Sequence, residues 1–160
     1  MKKKDEVVYV KALNIGCGPA SRWIPNTEGL DIIDFGQKYV SSIFEFEPPY
    51  QYDVIFAHHF FEHFIDTVAL MEKVGSMLKI GGALDIRVPT LPFPQAYVDP
   101  THVKYIPKQA DVFFGYFTDK SMAGHCYTKC KFEIVGMESD RFEWETHICL
   151  KRIEWEKSEY

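Results

Sequence analysis

The sequence predicts an α/β fold: a mostly parallel seven-stranded sheet in a three-layer sandwich, with an antiparallel terminal strand. Three observations carry this. Short β-branched apolar runs recur along the chain, a helical repeat separates two of them, and a glycine turn follows the first. The 160 residues hold no internal repeat, low-complexity tract or linker, so residues 1–160 are expected to form a single domain.

Taken in order, Val7 to Ile15 is apolar and β-branched and reads as a buried first strand. Gly29 to Ile33 is a second run, Val40 to Phe46 a weaker third, and Asp53 to Ala57 a fourth. From Asp66 to Leu78 the residues Val68, Met71, Val74, Met77 and Leu78 recur at helical spacing, with Asp66 as N-cap. Gly81 suits a left-handed position closing that helix, so Ala83 to Val88 forms the fifth strand and Pro89 stops it. Five prolines between Pro89 and Pro107 exclude regular structure there. Lys108 to Phe117 is expected to be an aromatic-rich helix. Phe132 to Glu138 and Glu143 to Glu154 are two strands joined by a short turn, hence mutually antiparallel.

Composition narrows the function. Hydrophobic residues make up 46% of the chain and aromatics 16%, which is globular. A net charge of −5 gives no general grip on phosphates, so nucleic acid is not an expected partner. The start Met1-Lys2-Lys3-Lys4 resembles a signal-peptide head, but the apolar run behind it is short and broken by Lys11. No stretch reaches the roughly 20 apolar residues of a membrane helix. Cys17, Cys126, Cys130 and Cys149 lack framework spacing and are expected to be reduced thiols in a cytoplasmic protein. His125, Cys126 and Cys130, completed by His102 or Cys149, lack the paired short spacing of a zinc site, so no metal is expected.

In a doubly wound sheet, ligands bind beyond the carboxyl ends of the strands where strand order reverses. The loop Asn14-Ile15-Gly16-Cys17-Gly18 lies there, and its glycines let backbone N–H groups approach a ligand. Asp31 ends the second strand, where a carboxylate can accept from both hydroxyls of a ribose. Together they predict a Rossmann-like site for an adenosine-type cofactor. A nicotinamide dinucleotide asks for a third glycine or alanine where Ser21 stands. It also needs a helix N-terminus for its pyrophosphate, and Pro19, Trp23 and Pro25 leave about one turn. S-adenosylmethionine (SAM) carries no phosphate, so the sequence favours it.

Leu13 to Gly18, Gly29 to Ile32, Tyr52 to His63, Leu78 to Leu84 and Asp99-Pro100-Thr101-His102-Val103 resemble the class I SAM-dependent methyltransferases, over about residues 10 to 150. The resemblance implies that Asn14, Gly16, Cys17 and Gly18 line the methionine end and that Asp31 and Ile32 sit at the ribose. It places Glu45, or alternatively Glu47, with Phe46 beside the adenine, and His58 and His59 on the cofactor's far side. The family's first motif usually opens with an acid, where this chain has Asn14. The first helix is shortened, none precedes the first strand, and a homodimer or partner subunit is a candidate for completing the cap.

Methyl transfer needs a positioned acceptor and, for a hydroxyl, a base. His102, in the loop after the fifth strand, is the candidate base. Glu62 and His63 read as structural, with His63 bonded to backbone. Phe113, Phe114, Tyr116 and Phe117 read as core rather than as a stacking platform. The expected activity is SAM-dependent methylation of a small-molecule or saccharide-type acceptor. A SAM-binding module without turnover and a nicotinamide-dependent oxidoreductase are the alternatives.

Overall fold

A computed structural model describes residues 10–118, 128–139 and 144–154. Its centre is a seven-stranded sheet of β1 (Ala12–Ile15), β2 (Glu28–Asp31), β3 (Tyr39–Val40), β4 (Tyr52–His58), β5 (Leu78–Pro89), β6 (Lys131–Ser139) and β7 (Glu145–Ile153). Their order is β3-β2-β1-β4-β5-β7-β6. The pairs among β1 to β5 are parallel, and β7 runs antiparallel to both β5 and β6. Strand order reverses at β1, so its carboxyl end opens a crevice between β2 and β4.

Among the described residues three helices accompany the sheet: α1 (Thr67–Met77), α2 (Gln95–Val98) and α3 (Ala110–Gly115). Asp66 caps α1 as expected, its Oδ1 accepting from the Ala69 N–H at 2.9 Å. Leu70, Met71, Val74 and Met77 of α1 are wholly buried with Ile55, Leu84, Ile86, Ile148 and Leu150. Burial then alternates along β5: Leu84, Ile86 and Val88 are covered, while Ala83 and Asp85 are half-buried and Arg87 is exposed. The second face is covered more thinly among the described residues. Right-handed crossovers place the β1–β2 and β2–β3 links on that side. The first holds only a 3-10 turn, Ala20–Arg22, so the short helix expected after the glycine loop is what forms.

Several boundaries differ from the sequence reading. Residues 7–9 lie outside the described residues, and β1 begins only at Ala12. β2 stops at Asp31 because that side chain takes the Ile33 N–H at 3.0 Å, turning the chain out of the sheet. β3 is only Tyr39–Val40. Beyond it the amides of Glu45 and Phe46 both bond the Ser42 carbonyl, which makes a turn. Gly81 does not close α1. Leu78 ends the helix in an extended conformation and starts a twelve-residue β5. The positive φ of 82° at Gly81 instead serves an irregularity between the Tyr52–Leu78 and Val54–Ala83 pairs. Pro89 belongs to β5, and the proline-rich segment contains the single turn α2. No described helix is long and apolar enough to cross a membrane.

Candidate active site

The site begins where β1 ends. The amides of Gly16 and Cys17 both donate to the Leu30 carbonyl, at 2.8 and 3.3 Å, tying the loop to β2. Gly16 has φ +64°, and a Cβ there would stand 2.4 Å from Cδ2 of Phe60. Both the backbone and the space demand glycine. The Gly18 N–H donates to Asp31 Oδ2 at 2.9 Å, so Asp31 is not the unpaired acid expected at the strand end. With Ile33 it spends two of about four acceptor positions on backbone, which leaves two.

Opposite the loop, β4 delivers His58 and His59. His59 is one of two described non-glycine residues with positive φ, at 51°, and its N–H donates to the Arg87 carbonyl at 2.8 Å. His59 Nε2 lies 2.7 Å from Glu145 Oε2, and Nδ1 lies 3.5 Å from Glu62 Oε1. Glu62, against the opposing effect of burial and with help from Glu145, holds the His59 pKa above its ordinary value. His58 Nε2 and His147 Nε2 each lie 2.7 Å from one oxygen of Asp85. Burial works against the Asp85 charge, but these two hydrogen bonds outweigh it and hold its carboxyl below the usual range.

The chain then makes a 3-10 turn, Phe61–His63, which sends Glu62 inward to 1% exposure. The Glu62 carbonyl accepts from the amides of Val103 and Lys104, at 2.9 and 3.0 Å. His63 Nδ1 lies 3.1 Å from the Thr101 carbonyl. These bonds pin the segment after β5 to the end of β4 and bring His102 over the site. His102 has only 8% of its side chain exposed, with Nδ1 3.4 Å from the Ala96 carbonyl. Its Nε2 is 3.9 Å from Glu62 Oε1 and 3.8 Å from Asp99 Oδ2.

Together these pieces enclose a cleft of about 860 Å³. The glycine loop and Asn14 form one wall, His58 and His59 the floor, and His63, Asp99 and His102 the far wall. Its size is that of a site for a small organic ligand. Of the residues the sequence singled out, Asn14, Gly16, Cys17, His58, His59 and His102 line this cleft. Gly18 and Asp31, bonded to each other, are not among its lining residues. Ile32, at 72% exposure, and the exposed Glu45 do not line the cleft. Phe46 is a core residue, its ring 4.8 Å from that of Tyr39.

Sequence reasoning missed Asp85, Glu145 and His147. A signal existed for Asp85, an acid inside the apolar run Ala83 to Val88, in register with Arg87 on one strand face. The antiparallel register that sets His147 and Glu145 opposite Arg87 and Pro89 had no local signal. His125 and Cys126 of the dismissed zinc set lie outside the described residues. Cys17, Cys130 and Cys149 form no disulfide.

No protein-family model matches the chain, and no curated protein matches it. Solved structures do. A S-adenosylmethionine-dependent methyltransferase from Clostridium acetobutylicum ATCC 824 superposes with a TM-score of 0.63 at 10% identity, covering 92% of this chain and 85% of its own. The N-methyltransferase NodS from Bradyrhizobium japonicum WM9 gives 0.61 at 13% identity, covering 91% and 86%. The 1,6-didemethyltoxoflavin-N1-methyltransferase of Burkholderia thailandensis, solved with bound 1,6-didemethyltoxoflavin and S-adenosylhomocysteine, gives 0.60 at 9% identity, covering 91% and 72%. At such identities the likeness speaks of architecture, and the architecture agrees with the strand order and the glycine loop: this chain has the fold of the class I SAM-dependent methyltransferases.

Proposed function

We propose that this protein is a SAM-dependent methyltransferase acting on a small-molecule or saccharide-type acceptor. The observation that carries the proposal is the cleft itself, lined by the loop residues Asn14, Gly16 and Cys17 and by a cluster of histidines. The loop has the chemistry for the group: Gly16 lines the cleft without a Cβ, and Asp31 keeps acceptor capacity beyond its bonds to the Gly18 and Ile33 amides, for ribose hydroxyls. The Asn14 amide oxygen is the acceptor for an ammonium group, without the charge an acid would add. When bound, SAM supplies a methyl group made electrophilic by its sulfonium.

The chain's own task is then to orient the acceptor and exclude water. His102, nearly buried at the far wall, is the side chain assigned to the acceptor end. Asn14 in place of an acid also favours a second reading, a module that binds SAM without turnover.

Calorimetry on the purified chain with SAM, S-adenosylhomocysteine and NADH tests the proposal. Binding of the first two is expected, and heat from NADH alone would overturn it. Asp31→Ala should abolish SAM binding, because it removes the ribose acceptor and releases the Gly18 amide together. Retained micromolar affinity would mean the ribose lies elsewhere. His102→Ala should slow transfer while leaving SAM affinity intact, and unchanged turnover removes His102 from the chemistry.

A further inference from the structure

We infer that Glu62, His63 and His102 form a binding site for one divalent transition-metal ion at the acceptor end of the cleft. Their ligand atoms lie within 4.8 Å of one another. Around an ion bonded at about 2.1 Å, atoms of a tetrahedral set stand roughly 3.4 Å apart. Each of the three therefore moves inward by less than about an ångström.

The hydrogen bonding around the cluster points the same way. Both histidines face a backbone carbonyl through Nδ1, His63 that of Thr101 and His102 that of Ala96. A carbonyl only accepts, so each Nδ1 is the donor there and Nε2 is the nitrogen left to face a metal. This is how protein-bound metals have their imidazoles oriented. Glu62 is 1% exposed, and among the described residues neither of its carboxylate oxygens takes part in a hydrogen bond. Its nearest cationic neighbour, His59, is 3.5 Å away through Nδ1 and gives its other nitrogen to Glu145. Contacts of 3.5 and 3.9 Å are too long to satisfy a buried carboxylate. Three groups able to ligate a metal thus converge on one point, beside a carboxylate that no hydrogen bond satisfies. A bound cation would answer that carboxylate.

Two imidazoles with one carboxylate, and no thiolate, suit manganese, iron, cobalt or zinc rather than magnesium or calcium, which prefer oxygen sets. Part of this inference rests on the methyltransferase reading, namely what the ion does. Bound at the far wall, it takes a hydroxyl oxygen of the acceptor as a further ligand and lowers that hydroxyl's pKa. The proton leaves to water, the oxygen attacks the methyl carbon, and the carbon–sulfur bond breaks with its electron pair going to sulfur. No electron is exchanged with the metal. His102 then serves as a ligand, and the acceptor is a hydroxylated molecule.

The test uses the full chain, stripped with EDTA and titrated with Co²⁺ and Mn²⁺ by calorimetry, with the visible spectrum of the Co²⁺ form recorded. One ion per chain is expected. Glu62→Gln, His63→Ala and His102→Ala should each weaken it at least tenfold and alter the cobalt spectrum. Wild-type protein that binds no ion, or binding that survives all three substitutions, overturns the site. Glu62→Gln keeps the side-chain shape, and His63→Ala decides the matter should that variant fail to fold. A parallel SAM titration separates the two readings. Cobalt binding without SAM binding removes the methyltransferase reading and keeps the metal site, whereas SAM binding without cobalt binding removes the metal site alone.

Discussion

Glu28 and Glu62 are both poorly exposed carboxylates at the ends of sheet strands, and the chain treats them in opposite ways. Glu28 opens β2, at the end of the sheet away from the cleft. It accepts from Tyr50 at 2.5 Å, Tyr52 at 2.9 Å and Tyr39 at 3.1 Å, and pairs with Lys38. Glu62 follows β4 at the cleft end and accepts no hydrogen bond among the described residues. The satisfied carboxylate fastens β2, β3 and β4 together. The other is 1% exposed, with only His59 and His102 near it, at 3.5 and 3.9 Å. The fold supplies four donors to one acid and leaves the other with two long contacts, which is where the proposed ion would bind.

Glu62→Gln should break this contrast most visibly, by raising stability while removing function. The amide puts two N–H donors where only lone pairs converge, and it removes a buried charge. Thermal unfolding is expected about 2–4 °C higher, in line with roughly 1 kcal/mol in a chain of this size. Methyl transfer and ion binding should be lost. Stability that drops, with activity kept, would show Glu62 to be an ordinary structural acid. Glu28→Gln should do the reverse. It keeps one acceptor oxygen for the tyrosines but loses the charge and half the lone pairs, so unfolding is expected about 4 °C lower, for about 1–2 kcal/mol. SAM affinity should be unchanged. A parallel loss of SAM binding would place Glu28 in the site rather than in the frame.

Gly16→Ala ranks next among the effects on the cleft. The methyl group meets the Phe60 ring at 2.4 Å in a backbone region that L-residues avoid. SAM affinity should fall tenfold or more, with a smaller loss of stability as Phe60 shifts.

The same contrast explains what could be read from the sequence. The frame was legible where structure is local. The apolar runs, the helical spacing of α1, the Asp66 cap and the proline-broken turn after Gly18 all report on neighbours within a few residues. Gly81 was misplaced because a glycine with positive φ serves a helix end and a strand irregularity equally well. The partners of Asp31, the Gly18 and Ile33 amides, left no sequence signal because they are set by how the loop folds back. His63 read as bonded to backbone, and its Nδ1 does face the Thr101 carbonyl at 3.1 Å. What the sequence did not show is His102 beside Glu62 and His63, thirty-nine and more residues away, in a segment held by the bonds of Val103 and Lys104 to the Glu62 carbonyl. Long-range convergence of side chains leaves no periodic trace.

The smallest expected effect is a pH dependence. Burial opposes the Glu28 charge, but Lys38, Tyr50, Tyr52 and Tyr39 together bring its pKa from 4.5 down to about 2. Between those values the unfolded chain binds a proton that the folded chain refuses, so stability rises with pH. The contribution is complete above about pH 4.5 and fades as pH falls through about 2. Unfolding of the wild type and of Glu28→Gln, followed from pH 6 to pH 2, should give curves that lie apart at the top and converge at the bottom. Some slope should persist in the variant, because Asp53 is held low by Lys79 and the Lys11 amide, and Asp85 by its two histidines. Curves that stay parallel to the acid limit would mean that Glu28 is held by shape alone, and the four donors would lose their part in the contrast with Glu62.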